Sequence, residues 1–138
     1  MAAGKHRLFA DEPERVGGLD TGPSPYDYLA IALAACTAMT LRLYAKHKGI
    51  ELGRVSVDVD HDRVHARDCE ECAEGVREGG GKVDRFARTI RAEGVAPDLH
   101  GKLIEIAGKC PVHRTLERGA AVVTRVADDA AEAPVAAE

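Results

Sequence analysis

The sequence predicts an α+β fold in which helices pack against an antiparallel sheet. Three observations carry this prediction: a long helical pattern between positions 23 and 49, two strand patterns of similar length after it, and two shorter helical patterns near the C-terminus. The chain has 138 residues, of which 45% are hydrophobic and 30% charged. A chain of this size and composition can bury its own core, so we expect one domain that needs no disulfide scaffold.

The N-terminal segment holds little apolar sequence. The stretch from Lys5 to Ala10 predicts a short strand, with Leu8 and Phe9 as its apolar residues. A glycine-rich connector then leads from Val16 into the long helix.

The long helical pattern has clear start and end signals. Ser24 can cap the first turn, Pro25 suits the first helical position, and Gly49 follows a basic last turn. Its apolar stripe recurs at three- and four-residue steps and consists of Leu29, Leu33, Cys36, Met39, Thr40 and Leu43. We therefore expect Cys36 to face a packed interior, and the small alanines around it would let a second copy of the chain come close. The apolar run is shorter than the ~18 residues of a membrane span, which indicates a core helix.

The first strand of a hairpin is predicted from Arg54 to Ala66, because valines alternate there with polar residues. By parity, His61, Arg63 and His65 continue the face that the valines occupy, so we expect them on the covered side of the sheet.

The second strand of the hairpin is predicted from Lys82 to Glu93, with Phe86 and Ile90 on one face. The connecting segment from Arg67 to Gly81 ends in three consecutive glycines, which predict a mobile hairpin tip.

Two helices are predicted after the hairpin. Pro97 begins the first, which ends near Gly108. Its apolar side consists of Leu99, Leu103, Ile104 and Ile106. Pro111 suits the first position of the second helix, which places Cys110 at the cap.

The C-terminal end of the chain divides into two parts. Ala121 to Val126 predicts a last strand, and the acidic, alanine-rich stretch from Asp128 to Glu138 predicts a disordered tail.

Composition excludes several classes of function. The net charge is −4 and the chain has no Trp, two Phe and three Tyr, so we expect no nucleic-acid partner. No charged segment followed by an apolar stretch stands at Met1, so nothing marks secretion and we expect a cytoplasmic protein without a membrane anchor. Thiols in that compartment are more often catalytic, metal-binding or buried than bridged.

Cys36 and Cys110 are the first candidates for chemistry. A thiol in an apolar stripe is usually inert, because burial raises its pKa. A thiol at a helix N-terminus faces backbone N–H groups and the positive end of the helix dipole, which favour the thiolate. Cys110 thus opens a second reading, in which the two cysteines form an attacking and resolving pair.

The segment GPSPYDYLAIALAACTAMTLRLYA, followed much later by KCPVHRTLE, resembles the OsmC/Ohr family, named for osmotically inducible protein C and organic hydroperoxide resistance protein. The resemblance runs from roughly Gly4 to Val126, and HDRVHARDCEEC is typical of one OsmC-like branch. It implies a single OsmC-like domain over residues 1–127, with an antiparallel sheet packed on the long central helix. It also implies an intertwined homodimer with two sites at the subunit interface.

The resemblance further implies an antioxidant peroxidase chemistry. Cys36 matches the peroxidatic position and Cys110 the resolving one. The Cys36 thiolate would attack the O–O bond of an organic hydroperoxide, become a sulfenic acid and condense with Cys110 to a disulfide. An external dithiol, of lipoyl type in the family, would reduce that disulfide, and no metal or organic cofactor is required.

Family peroxidases hold the thiolate with an arginine from an N-terminal hairpin and orient that arginine with a glutamate. The glutamate position is Tyr26 in this chain, with Asp27 as the nearest carboxylate. The chain begins at what resembles the second strand of a shortened hairpin, so Arg7 and Arg15 are the candidates for the arginine.

A second constellation consists of His61, His65, Cys69 and Cys72. Two imidazoles and two thiolates at this spacing suit tetrahedral zinc, while the CxxC pair alone suits a redox dithiol. A plain loop at the end of a strand is the third interpretation.

The sequence therefore favours a thiol-dependent peroxidase that reduces organic hydroperoxides. Two alternatives stay open: a non-enzymatic protein of the same fold that binds a small apolar ligand, and a zinc or redox module built on the second constellation.

Overall fold

The computed structural model has the α+β architecture that the sequence predicts, and it describes residues 1–70, 72 and 74–126. Its elements in chain order are β1 (Ala2–Ala3), β2 (His6–Arg7), α1 (Pro25–Lys48), β3 (Val55–His65), α2 (Glu74–Glu78), β4 (Lys82–Ala92), α3 (His100–Ala107) and α4 (Pro111–Arg118). β1 pairs with β2 and β3 pairs with β4, both antiparallel. The long helix α1 packs against β3, α3 and α4.

Helix α1 begins and ends where its sequence signals stand. The backbone N–H of Asp27 donates to Ser24 Oγ at 3.3 Å, and the N–H of Ser24 donates to the Asp27 carboxylate at 2.8 Å. This reciprocal capping box satisfies two N–H groups that a helix start leaves without partners. Gly49 adopts a left-handed φ of 65°, and its N–H donates to the last carbonyls of the helix.

The predicted apolar stripe of α1 is wrong by a rotation of about one residue. The buried residues are Ala30, Leu33, Thr37, Leu41 and Ala45. Leu29, Met39 and Leu43 remain 41%, 70% and 64% exposed, and Cys36 is half-buried between the two faces. The helix is apolar on most of its circumference, so periodicity alone does not select the buried face. Within the chain, the small Ala30 and Ala45 allow close packing on one face.

By length and mean hydropathy alone, α1 is long and apolar enough to cross a membrane. The same property belongs to core helices of soluble proteins, and α1 packs here against a strand and two helices.

The hairpin has the predicted position. β3 and β4 pair from Val55 opposite Ala92 to His65 opposite Lys82. The valine face of β3 is half-buried as far as His61, but Arg63 and His65 are exposed, which corrects the parity prediction. The Arg63 guanidinium lies 3.6 Å from Asp84 at the surface, where its charge stays hydrated.

The core lies between α1, α3 and the hairpin. Leu41, Leu103 and Ile106 form the buried cluster. Partly buried residues packed against it are Tyr44, Leu52, Val55, Ile90, Ala92 and Val95. Ile104, predicted on the apolar side of α3, is instead 69% exposed.

Both terminal strand predictions need correction. The predicted strand from Lys5 to Ala10 shrinks to His6–Arg7, and Leu8 and Phe9 are exposed. Ala121 to Val126 forms no strand and exposes its valines, because a strand needs a neighbouring edge as well as β propensity. The predicted tail from Asp128 to Glu138 lies outside the described residues.

Candidate functional site

Helices α1 and α4 bring Cys36 and Cys110 together. Cys36 lies midway along α1, and Cys110 is the N-cap residue of α4. Both are free thiols, and they lie close enough for each to shift the pKa of the other. The two cysteines that the sequence singles out therefore share one site, although they are far apart in the chain.

The start of α4 influences both thiols. Pro111 occupies its first position, and the N–H of Arg114 donates to the Cys110 carbonyl at 3.1 Å. The backbone N–H groups of Val112 and His113 lower the pKa of Cys110, and that of Val112 lowers the pKa of Cys36, although the Cys110 side chain makes no capping hydrogen bond. A helix N-terminus thus faces the pair and favours negative charge there.

The two thiols differ in acidity. Cys110 is 0% exposed, and this burial by itself raises its pKa. The Cys36 thiol and the N–H groups of His113 and Val112 outweigh the effect of burial, so the pKa of Cys110 is lowered from its ordinary value. Burial raises the pKa of Cys36, and its contact with Cys110 raises that pKa further. The pKa values of the two thiols are therefore shifted in opposite directions.

Arg88 is a residue of the site that the sequence analysis missed. Its Nη1 donates to Thr37 Oγ1 at 2.8 Å and to the Ala107 carbonyl at 3.2 Å. Burial lowers the pKa of Arg88, while the negative charge of Cys110 acts in the opposite direction. The alternation of residues along β4 could have identified Arg88, because it places Arg88 on the same inward face as Phe86 and Ile90.

The arginine and carboxylate candidates from the family resemblance lie elsewhere. Arg7 and Arg15 are exposed, and neither is among the groups that shift the pKa of Cys36 or Cys110. Hydrogen bonds with Ser24 lower the pKa of Asp27, and the charge of Arg15 acts in the same direction. At ~1.5 Å rise per residue, Asp27 lies about 13 Å from Cys36 along α1. Within one chain Asp27 thus serves as a helix cap.

A cavity of about 930 Å³ is lined by residues of α1, β4 and α4. Its apolar lining includes Tyr26, Leu29, Leu33, Val76, Phe86 and Leu116. The Cys69–Cys72 disulfide also lines the cavity, whereas Cys36 and Cys110 do not. Leu33 stands one turn before Cys36 on α1, and His113, which also lines the cavity, follows Cys110 in the first turn of α4. The cavity and the thiol pair therefore share neighbouring turns of two helices.

The structure does not arrange the four zinc candidates as a metal site. Cys69 and Cys72 are instead joined by a disulfide with Cα atoms 5.3 Å apart. His61 stacks on Tyr26 with ring centroids 4.2 Å apart and lies 3.0 Å from Asp84, while His65 is exposed. Among the residues that the structure describes, no group of three or more His, Cys, Asp or Glu side chains could hold a metal ion.

Comparisons with known proteins agree with this architecture. The family described as OsmC-like protein matches residues 18–125. The fold is similar to an organic hydroperoxide resistance protein, OsmC, from Legionella pneumophila, with a TM-score of 0.58 and 20% identity over 77% of this chain and 70% of that one. An organic hydroperoxide resistance protein from Elizabethkingia anophelis gives a TM-score of 0.51 and 25% identity over 75% and 69% of the two chains.

A third similar structure is the organic hydroperoxide resistance protein OhrB of Bacillus subtilis, with a TM-score of 0.53 and 20% identity over 70% of this chain and 64% of that one. No curated protein sequence matches this chain significantly.

Proposed function

Since the chain belongs to the OsmC-like protein family, we propose that it is a thiol-dependent peroxidase that reduces organic hydroperoxides. The observation that carries the proposal is the pair of free thiols, Cys36 and Cys110, that come together at the N-terminus of α4. Cys36 is the half-exposed member of the pair, which suits the sulfur that attacks the substrate. Cys110 is fully buried, which suits the sulfur that resolves the sulfenic acid.

The reaction uses only thiol chemistry. Cys36 attacks the terminal peroxide oxygen, the O–O bond breaks, and an alcohol leaves. Cys110 then attacks the Cys36 sulfenic acid, which releases water and forms a disulfide. An external dithiol, of the lipoyl type or another, restores both thiols, and the reaction requires no metal or organic cofactor. We place this chemistry in the cytoplasm.

A cavity lined by Leu33 and His113, each about one turn from a cysteine of the pair, supports an organic substrate. Its walls are mainly apolar, and Leu33 connects them to the turn of α1 that carries Cys36. Burial of an alkyl or aryl group there contributes about 25 cal/mol per Å² of apolar surface removed from water. Hydrogen peroxide has no such group and gains nothing from the cavity.

We also propose that the protein is a homodimer. Leu29, Met39 and Leu43 leave an apolar stripe of α1 uncovered, and the valines at 122, 123 and 126 are also exposed. A second copy of the chain would cover the helix stripe and offer the C-terminal segment an edge to pair with.

Stopped-flow oxidation by cumene hydroperoxide tests the proposed activity. Reduced wild-type protein should lose both free thiols per chain and release cumyl alcohol. Cys36→Ser should abolish both effects, whereas Cys110→Ser should stop at a sulfenic acid that dimedone traps. Equal turnover by wild type and Cys36→Ser would overturn the proposal.

The raised pKa of Cys36 and the size of the cavity favour one alternative, a non-enzymatic protein that binds a small apolar ligand. In that case the thiols would survive cumene hydroperoxide, while cumyl alcohol would still raise the melting temperature. A zinc or redox module built on His61, His65, Cys69 and Cys72 has less support, since the structure pairs the two cysteines with each other.

A further inference from the structure

Three aromatic rings meet where the start of α1 packs on the hairpin. Tyr26 comes from α1, His61 from β3 and Phe86 from β4. The His61 ring stacks on Tyr26 with centroids 4.2 Å apart and an angle of 8° between the two planes. The His61 and Phe86 rings have centroids 4.8 Å apart and are tilted by 33°. Since its ring is nearly parallel to that of Tyr26, His61 covers one face of Tyr26.

Polar contacts hold the His61 ring in this position. Its Nε2 lies 3.0 Å from Asp84 Oδ1, and Arg63 Nε lies 3.6 Å from the same oxygen. The His61 side chain is only 17% exposed. Tyr26 itself stands in the first turn of α1, where the capping box fixes the backbone. Both the backbone of Tyr26 and the ring behind its side chain are therefore held in place.

The aromatic rings form part of the cavity wall. Tyr26 and Phe86 line the cavity, whereas His61 does not. His61 therefore lies behind the two rings as seen from the cavity. Tyr26 is 45% exposed, so a large part of its ring is open to a ligand. An aromatic group bound there can continue the stack, with His61 on one face of Tyr26 and the ligand on the other. A saturated group of the same size can bury its surface but lacks the ring interaction.

The charged side chains and the histidine that line the cavity already have partners. Each lies within 3.1 Å of an ionisable side chain of the complementary type. The pairs are Asp84 with His61, Arg85 with Asp62, and Glu117 with His113. An ionised ligand would have to compete with these pairs and give up its own hydration. The lining therefore favours an uncharged ligand.

We propose that this cavity binds an uncharged aryl ligand that stacks on Tyr26, and that His61 is the positioning residue that holds the Tyr26 ring for it. That the ligand is the substrate rests on the proposed peroxidase function. The aryl group is then the part of the hydroperoxide that the cavity recognises, and the peroxide group is the part that Cys36 attacks.

NMR titration of the reduced protein with cumyl alcohol and with 2-cyclohexyl-2-propanol tests the stacking. The two alcohols differ only in whether the ring is aromatic, and neither contains a peroxide bond. The measured quantity is the aryl preference, which is the dissociation constant of the cyclohexyl alcohol divided by that of cumyl alcohol. Comparing this ratio between variants cancels the difference in hydrophobicity between the ligands. Tyr26→Leu keeps an apolar side chain and removes the ring, so the aryl preference should fall by about 2- to 12-fold, the contribution of one aromatic pair.

Two further variants control for other effects of the substitution. Tyr26→Phe keeps the ring and should keep the wild-type aryl preference. Tyr28→Leu is the matched control, because Tyr28 also lies on α1 but does not line the cavity. An unchanged aryl preference in Tyr26→Leu overturns the proposal, and so does an equal fall in Tyr28→Leu.

The positioning role of His61 has its own pair of variants. His61→Leu removes the ring behind Tyr26 and should lower the aryl preference, whereas His61→Phe keeps a ring there and should restore it. A merely structural role would weaken the binding of both alcohols equally. An unchanged aryl preference in His61→Leu therefore overturns the positioning role. If Tyr26→Leu does not fold, these two variants carry the test of the stack.

The charge of the ligand and its chemistry are tested separately. Benzoate should bind more weakly than benzyl alcohol, and tighter binding of benzoate would overturn the choice of an uncharged ligand. The titrations use no peroxide, so their result is independent of the proposed function. An aryl preference that depends on Tyr26, in a protein that does not turn over cumene hydroperoxide, would keep the site and overturn the peroxidase. Turnover with an aryl preference that ignores Tyr26→Leu would keep the peroxidase and overturn the site.

Discussion

The exposed stripe on α1 predicts that the protein dimerises through Met39 and Leu43. These side chains are 70% and 64% exposed in the single chain. Full burial of a Leu or Met side chain contributes about 1.5–3 kcal/mol, so covering the exposed remainder contributes about 1–2 kcal/mol for each. A symmetric dimer contains four such side chains, which together contribute about 4–8 kcal/mol.

The double variant Met39→Ser, Leu43→Ser should therefore weaken dimerisation by at least about 1000-fold, since about 1.4 kcal/mol corresponds to a factor of ten. Sedimentation velocity over a concentration series measures the dissociation constant of both proteins. Ile104→Ser is the matched control, because Ile104 is equally exposed at 69% but lies on α3. A wild-type chain that stays monomeric at tens of micromolar, or a double variant that dimerises like wild type, would refute the reasoning.

Three further predictions concern stability. Leu41→Ala should lower the free energy of unfolding by about 3–5 kcal/mol in urea denaturation, because Leu41 is fully buried in the core cluster and the cavity left behind adds to the lost transfer energy; a loss below about 1 kcal/mol would contradict that packing. The Asp11 carboxylate accepts four hydrogen bonds, one each from Glu12 and Leu19 and two from Thr21, which lower its pKa to about 2, and NMR titration should find that value. The ionised carboxylate should therefore stabilise the loop fully above the ordinary pKa of 3.8, and this stabilisation should be lost as the pH falls toward about 2. Cys69→Ser should lower the free energy of unfolding, measured by calorimetry, by about 2 kcal/mol or less, because the disulfide to Cys72 closes a very short loop. The same variant should still lose the Cys36 and Cys110 thiols when it is treated with peroxide.

Local signals in the sequence predicted a large part of the fold. Ser24, Pro25 and Gly49 mark the bounds of α1 through capping geometry that depends only on neighbouring residues. Strict alternation predicted β3 and β4 to within one or two residues. The buried face of α1 was wrong, because a helix that is apolar on most sides can be buried on several faces, and the neighbouring elements decide between them. The strand at Ala121 to Val126 was wrong for a related reason, since valine content predicts an extended chain but supplies no partner strand.

In the candidate site, too, local sequence predicts some features, whereas others depend on how the elements pack. The position of Cys110 follows from Pro111, which starts α4 and leaves the cysteine at the cap. Its contact with Cys36 depends on how α4 packs on α1, which no local pattern contains. Arg88 was missed because an arginine in a strand is ordinarily a surface residue, and only its place between Phe86 and Ile90 indicated otherwise. The Cys69–Cys72 disulfide was not predicted, since the CxxC spacing serves metal binding, redox exchange and bridging equally well.

Mapping the sulfur chemistry after a single turnover tests the central claim most directly. Reduced protein is mixed with one equivalent of cumene hydroperoxide, alkylated to block the remaining thiols, digested without reductant and analysed by mass spectrometry. The account predicts a new disulfide-linked peptide pair that joins Cys36 to Cys110, with one equivalent of cumyl alcohol released. Free Cys36 and Cys110 after this treatment, or oxidation confined to Cys69 and Cys72, would contradict it.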